Sequence, residues 1–113
     1  MRKQQEDVQL WIKSIGHGYF NELTNLGQLV EEVGELSRLM IREYGEQSWK
    51  KDEKPFHLKE QMGEELSDII FVTYCLANQM EIDLESAFER KLKIKTERDS
   101  ERHALNSKLN KEL

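Results

Sequence analysis

Residues 26–40 read LGQLVEEVGELSRLM, and their apolar side chains have the spacing of an amphipathic α-helix. The apolar positions recur every three or four residues and form one stripe: Leu26, Leu29, Val30, Val33, Leu36 and Met40. A stripe of this width is typical of a helix with one buried face. The pattern predicts a helix that starts near Thr24, ends at Gly45 and packs this stripe into the core.

Three more helices are predicted on the two sides of this segment. The first covers about residues 4–15, and its apolar stripe predicts that Trp11 is buried. A third covers about residues 58–80. Asp83 is the predicted N-cap of a fourth helix that continues past Lys95. The chain therefore has four predicted helices joined by short connections.

These elements predict an all-α fold, a four-helix bundle formed by a single domain over residues 1–113. About residues 104–113 are expected to form a frayed tail. The polar segment 45–57 contains Pro55, the one proline of the sequence, and is a predicted loop. A domain of this length buries only about two-thirds of its unfolded surface, so we expect a partner subunit to supply further burial.

Charge and cysteine content exclude several classes of function. The 17 basic and 22 acidic residues give a net charge of −5, which repels a nucleic-acid backbone, so polymeric DNA or RNA is not an expected partner. Cys75 is the single cysteine, and the N-terminal residues have no apolar signal segment. No apolar run approaches the roughly 20 residues that cross a bilayer. The sequence predicts a cytoplasmic protein without a membrane partner.

An acidic pattern occurs twice, as EEVGE at residues 31–35 and as EELSD at residues 64–68. Side chains three residues apart are neighbours on a helix surface, so each copy presents one vertical pair of carboxylates. The two pairs lie at the border of the apolar stripes: Glu32 with Glu35, and Glu65 with Asp68. We expect these four carboxylates to face a groove between the second and third helices.

A bound divalent cation would offset the repulsion between four such carboxylates. Carboxylate oxygens suit hard ions, so Mg²⁺ is the first expected ion and Mn²⁺ a substitute. The sequence has no Cys/His set for zinc, and no histidine follows an acidic residue by three positions, as a di-iron bundle requires. The alternative is a pair of solvated acidic faces without a metal, because Glu is a strong helix former.

At these residues the sequence resembles the MazG-like all-α nucleoside triphosphate pyrophosphohydrolases. Their signature, Glu-Glu-x-x-Glu followed by Glu-x-x-Asp, is matched by Glu31, Glu32 and Glu35, and then by Glu65 and Asp68. The similarity extends over residues 11–103, which is nearly the whole chain.

The resemblance implies that Glu32, Glu35, Glu65 and Asp68 bind Mg²⁺. It also implies hydrolysis of a nucleoside triphosphate to a monophosphate and pyrophosphate by a homodimer or homotetramer, in which subunit association completes the four-helix bundle. Glu31, next to a ligand, is a candidate for a supporting role or for the general base. Nucleotide-pool control and removal of non-canonical nucleotides are the expected purposes.

The substrate side of such a site needs cations and a flat apolar surface. A stripe on the fourth helix supplies cations at spacings of four, three and four: Lys91, Lys95, Arg98 and Arg102. Ordinary salt bridges on an exposed helix are the alternative explanation. Trp49 in the predicted loop is a candidate for a closing lid. His17 and Asn78 are further candidates for substrate contacts, with core packing or capping as their alternatives.

Two other functions fit the sequence. One is a non-catalytic helical protein whose acidic faces serve as docking surfaces. The other is a hydrolase of a different phosphoanhydride, such as a dinucleotide.

Overall fold

The computed structural model describes residues 1–109 and contains four α-helices, with no strand in that range. The helices are α1 (Arg2–Ser14), α2 (Glu22–Tyr44), α3 (Leu58–Gln79) and α4 (Leu84–Ala104). The predicted all-α fold with four helices is confirmed. Residues 105–109 follow the end of α4, and the remainder of the predicted tail, residues 110–113, lies outside the described residues.

Side-chain caps set the starts of α2 and α4. The Asn21 side chain accepts a hydrogen bond from the backbone N–H of Thr24 at 2.9 Å, so α2 begins two residues before the predicted start. Asp83 caps α4 by accepting from the backbone N–H of Ser86, as predicted. Gly45 follows the last residue of α2, where a Cβ atom would lie 2.5 Å from the carbonyl oxygen of Ile41. Only glycine avoids this clash.

Helix α3 forms the centre of the chain, with α1 and α2 packed against it and α4 packed against α1. The buried apolar side chains come mostly from α3: Ile12, Leu39, Met62, Val72, Tyr74, Cys75 and Ala77. Cys75 is a free, buried thiol, and its pKa is raised to about 11 by burial. Such a thiol is inert at neutral pH.

The four helices do not close a bundle within one chain. The radius of gyration is 18.0 Å, whereas a compact chain of this length has about 13 Å. The molecule measures 50 × 48 × 23 Å, and α4 has no buried residue. A single chain is therefore an open, flat arrangement around α3.

The predicted buried stripe of α2 is only partly correct. Leu39, which lies outside that stripe, is the most buried side chain of the helix at 1% exposure, whereas Val30 is 65% exposed. Leu26, Val33 and Met40 are also exposed. The apolar side chains of α2 spread over a wide arc of the helix surface, and α3 packs against only part of that arc. Trp11, predicted to be buried, is likewise half exposed.

The connector between α1 and α2, residues 15–21, is held to the end of α3 by side-chain amides. The buried Asn25 donates to Gln79 Oε1 at 2.7 Å, and Gln79 donates to the carbonyl oxygen of Phe20 at 2.6 Å. Asn78 donates to the hydroxyl of Tyr19 at 3.1 Å. Amide side chains paired in this way fix a segment that has no regular secondary structure.

None of the described helices combines the length and the apolarity needed to cross a bilayer.

Candidate active site

Three carboxylates from α2 and α3 meet at one point. Glu32 on α2 and Glu65 and Asp68 on α3 each offer an oxygen, and these oxygens all lie within 4.8 Å of one another. The arrangement follows from the sequence because α2 and α3 pack together along their lengths. Residues three apart on α3 then point the same way.

Glu35, the fourth carboxylate of the predicted set, lies beside this cluster. Its side chain is exposed, and it lies near enough to Glu32 and Glu65 to raise the pKa of both carboxyl groups. The structure therefore brings together all four carboxylates that the acidic patterns single out. We refer to Glu32, Glu35, Glu65 and Asp68 as the acidic cluster.

Burial and mutual repulsion destabilise the ionised carboxylates of the acidic cluster. One oxygen of Glu32 and one of Glu65, Oε2 in each case, are sealed from solvent and have no hydrogen-bond partner. Burial, followed by the neighbouring Glu35 and Glu32, raises the pKa of Glu65 to about 7. The pKa of Glu32 is raised by burial and by the charges of Glu35 and Asp68. A cation or a shared proton is required to stabilise such a group.

The donor set fits a hard divalent ion. All of the oxygens come from carboxylates, the ligands that Mg²⁺ and Mn²⁺ prefer. The two sealed oxygens that lack a donor are the atoms that a cation would satisfy.

A cavity of about 450 Å³ lies one helical turn from the acidic cluster. Gln28, one turn before Glu32 on α2, and Val72, one turn after Asp68 on α3, both line it. The remaining walls come from α1, the connector, α2 and α3: Trp11, Ile12, Gly16, His17, Gly18, Tyr19, Phe20, Asn25, Phe71 and Cys75. An apolar cavity of this size beside charged groups is typical of a small-molecule site.

The profile of the MazG nucleotide pyrophosphohydrolase domain matches residues 20–103. The chain belongs to this family. It is 37% identical over 102 residues to YpjD, an uncharacterized protein of Bacillus subtilis strain 168, covering 90% of this chain and 88% of that protein. It is therefore a MazG-family hydrolase, and the resemblance stated from its acidic motifs is confirmed.

Two solved structures resemble this MazG-family chain. The crystal structure of YpjD from Bacillus subtilis has a TM-score of 0.66 and 38% identity, over 81% of this chain and 88% of that one. The Bacillus-conserved MazG protein, a nucleotide pyrophosphohydrolase, has a TM-score of 0.64 and 34% identity, over 80% of this chain and 83% of that one.

The predicted substrate contacts of this MazG-family chain lie in different places. His17 lines the cavity, in a backbone conformation with φ of 60°. Asn78 lies outside the cavity lining, and its amide donates to Tyr19 and to the carbonyl oxygen of Gln5. Trp49 is partly buried in the loop between α2 and α3. Glu31 is exposed next to Glu32. Their roles in substrate binding or catalysis stay predictions.

The predicted cationic stripe lies on α4, and all of its members are exposed: Lys91, Lys95, Arg98 and Arg102. Arg98 and Arg102 both form ion pairs with Asp99, at 2.9 and 3.1 Å, and the hydrogen bond from Arg98 lowers the pKa of Asp99. Because α4 packs against α1, the stripe belongs to a different part of the chain from the acidic cluster. Its role as a phosphate site stays a prediction.

The sequence analysis did not single out two arginines that lie nearer to the acidic cluster along the chain than the α4 stripe does. Arg38 and Arg42 follow Glu35 on α2 by three and seven residues, and both form ion pairs with Glu53. Their spacing was a usable signal, because residues three and seven apart share a helix face. Glu53 lies in the following loop, and nothing in its local sequence indicates this pairing.

Proposed function

We propose that this MazG-family hydrolase cleaves a nucleoside triphosphate to the monophosphate and pyrophosphate, with Mg²⁺ held by the acidic cluster and Mn²⁺ as a substitute. The observation that carries the proposal is the convergence of Glu32, Glu65 and Asp68 oxygens within 4.8 Å beside an apolar cavity. A nucleotide hydrolase of this family needs one site for the phosphates and another for the nucleoside. The acidic cluster and the cavity lie one helical turn apart and can serve as these two sites.

Bound Mg²⁺ would supply the positive charge that neutralises triphosphate oxygens during cleavage. The protein side chains supply orientation. The sealed oxygens of Glu32 and Glu65 give the ligand set a fixed position between two packed helices, and the more exposed Asp68 and Glu35 border the side from which substrate enters. Exposed Glu31 is our candidate for accepting a proton from the attacking water.

The nucleoside is proposed to enter the cavity between α1, the connector and α3. Trp11 meets Phe71 edge to face, with ring centroids 5.7 Å apart, and provides a flat apolar wall. Gln28 and His17 add polar groups to the lining. A wall of this composition accepts an aromatic base and leaves the triphosphate directed toward the acidic cluster.

The active form is proposed to be an assembly of identical chains, a homodimer or a homotetramer. Exposed apolar side chains line both α2 and α4, among them Val30, Val33, Phe88 and Leu92. Together with the open shape of one chain, they favour burial against a second copy. Sedimentation velocity should give a mass of two or four chains at micromolar concentration. A monomer at that concentration would contradict the assembly and leave the metal site as an independent question.

The test of the activity is product analysis. Purified protein with Mg²⁺ should release pyrophosphate from at least one member of a panel of canonical and modified nucleoside triphosphates, and EDTA should abolish the release. Glu32→Gln should lower the rate at least about 100-fold while the helical content is kept. Glu60→Gln, a change of an exposed carboxylate on α3 outside the acidic cluster, is the matched control with a rate near wild type.

Inorganic phosphate as the first product would show that a different phosphoanhydride bond is cleaved. Wild-type rates in Glu32→Gln would remove the acidic cluster from the mechanism.

A further inference from the structure

We propose that Arg38 and Arg42 bind the pyrophosphate end of the substrate, and that Glu53 occupies this anion site in its absence. The inference deepens the proposed function and rests on it. It assigns a direction to the substrate, with the nucleoside at one end of α2 and the leaving pyrophosphate at the other.

One carboxylate oxygen is shared between the two guanidinium groups. Glu53 Oε1 lies 2.9 Å from Arg42 Nε and 3.8 Å from an amino nitrogen of Arg38. Arg42 is 20% exposed and Glu53 22% exposed, so this is a partly buried anion site. Arg38 is 45% exposed and is held less closely. Its guanidinium has donors left for a further anion.

The order of groups along α2 matches the order of parts in a nucleoside triphosphate. Gln28 lines the cavity, Glu32 and Glu35 belong to the acidic cluster, and Arg38 follows one turn later. Glu35, Arg38 and Arg42 fall within an arc of about 60° at roughly 100° per residue. A triphosphate that starts at the cavity and crosses the acidic cluster therefore reaches Arg38 with its terminal phosphate.

A phosphate group is a stronger ligand than Glu53 for this pair of arginines. It has more charge and more acceptor oxygens, and the planar guanidinium fork matches its geometry. The bound carboxylate of Glu53 marks the position that such a group would take. The loop also has a second attachment that does not involve these arginines, because Lys54 Nζ lies 3.2 Å from Glu43 Oε2. Glu53 can then leave without detaching the loop.

Pyrophosphate itself is the probe for this site. Its affinity, measured with Mg²⁺ by calorimetry and as product inhibition, should fall about tenfold in Arg38→Gln. The affinity for nucleoside monophosphate should stay unchanged. Glu53→Gln should bind pyrophosphate at least about threefold more tightly, because it removes the competing negative charge. Arg90→Gln, an exposed arginine on α4, is the matched control without effect.

A purely structural ion pair gives the opposite result. If Glu53 serves only to anchor the loop, Glu53→Gln weakens pyrophosphate binding or leaves it unchanged, and either outcome overturns the proposal. Unchanged pyrophosphate affinity in Arg38→Gln, with loss in Lys95→Gln instead, assigns the phosphate site to α4 and also overturns it. Arg38→Lys, which keeps the charge but not the fork, should fall between wild type and Arg38→Gln.

Failure of the proposed function is distinguishable from failure of this inference. If no triphosphate yields pyrophosphate while wild type binds pyrophosphate and Arg38→Gln does not, the anion site stands and the reaction assignment fails. If turnover occurs and Arg38→Gln keeps its pyrophosphate affinity, the reaction stands and the anion site fails. Thermal unfolding of each variant within a few degrees of wild type confirms that the fold is intact.

Discussion

Replacement of Glu65 by glutamine is expected to stabilise the metal-free protein and to abolish its turnover. Glu65 has one oxygen sealed from solvent, and it lies among Glu32, Glu35 and Asp68. Glutamine keeps the size and shape of the side chain and removes its charge. The substitution therefore isolates the electrostatic cost of placing this carboxylate in the acidic cluster.

The structure gives the size of the effect. The pKa of Glu65 is raised from 4.5 to about 7, mainly by burial and by Glu35 and Glu32. At about 1.4 kcal/mol per pKa unit, ionised Glu65 destabilises the fold by at most about 3 kcal/mol. Because the residue as a whole is partly exposed, solvent screening reduces the expected gain in Glu65→Gln to about 1–2 kcal/mol.

The sign depends on pH. The folded protein binds the Glu65 proton more tightly than the unfolded chain does, so this contribution to stability is complete below pH 4.5 and is lost as pH rises through about 7. Glutamine does not titrate. Glu65→Gln and wild type should therefore have similar unfolding free energies near pH 4.5 and differ most at about pH 8.

Urea unfolding followed by circular dichroism in EDTA measures this difference. Added Mg²⁺ should stabilise wild type at about pH 8 and have little effect on Glu65→Gln, because a ligand is missing. Glu64→Gln, an exposed neighbour, controls for the general loss of negative charge and should change the unfolding free energy by less than about 0.5 kcal/mol. A lower stability of Glu65→Gln at about pH 8, or an equal change at both pH values, would refute the argument.

Three other predictions follow from the geometry. The Mg²⁺ concentration for half-maximal activity should fall as pH rises from about 6 to about 8, because the proton on Glu65 competes with the cation; a flat profile would contradict this. Gly63→Ala places a Cβ where no atom lies within 4 Å, so it should raise the unfolding free energy by about 0.5–1 kcal/mol. Gly45→Ala places a Cβ 2.5 Å from the Ile41 carbonyl oxygen, so it should lower that free energy by more than about 1 kcal/mol. Urea titrations measure both changes. Asn21→Ala should cost about 1 kcal/mol in thermal unfolding and Asn21→Asp should not, because the aspartate keeps the acceptor for the N-cap.

Local sequence was sufficient for the helices and for the grouping of the four carboxylates. Helical periodicity and caps such as Asp83 act within a few residues, so the element bounds follow from the chain itself. The four carboxylates were found because two spacings of three coincide with apolar stripes that must face each other. Contacts between neighbouring turns are encoded in sequence order, and the acidic cluster consists of such contacts on two helices.

The burial of α2 and the arginine site required the structure. Periodicity placed Val30 in the predicted stripe and left Leu39 out of it, but which side of α2 is covered depends on where α3 packs. Trp11 was predicted to be buried for the same reason, and it borders a cavity instead. The pairing of Arg42 with Glu53 joins a helix to a loop whose path has no sequence signature.

The attachment of the connector has a consequence for how this enzyme family diversifies. The cavity wall at residues 16–20 is held by hydrogen bonds from Gln79 and Asn78, whereas the carboxylates lie on the middle turns of α2 and α3. Under the proposed function, residues 16–20 would contribute to base selection, whereas the two helices would carry the metal ligands. Exchange of this five-residue stretch among homologues should retune which base is accepted while the cleavage chemistry is preserved.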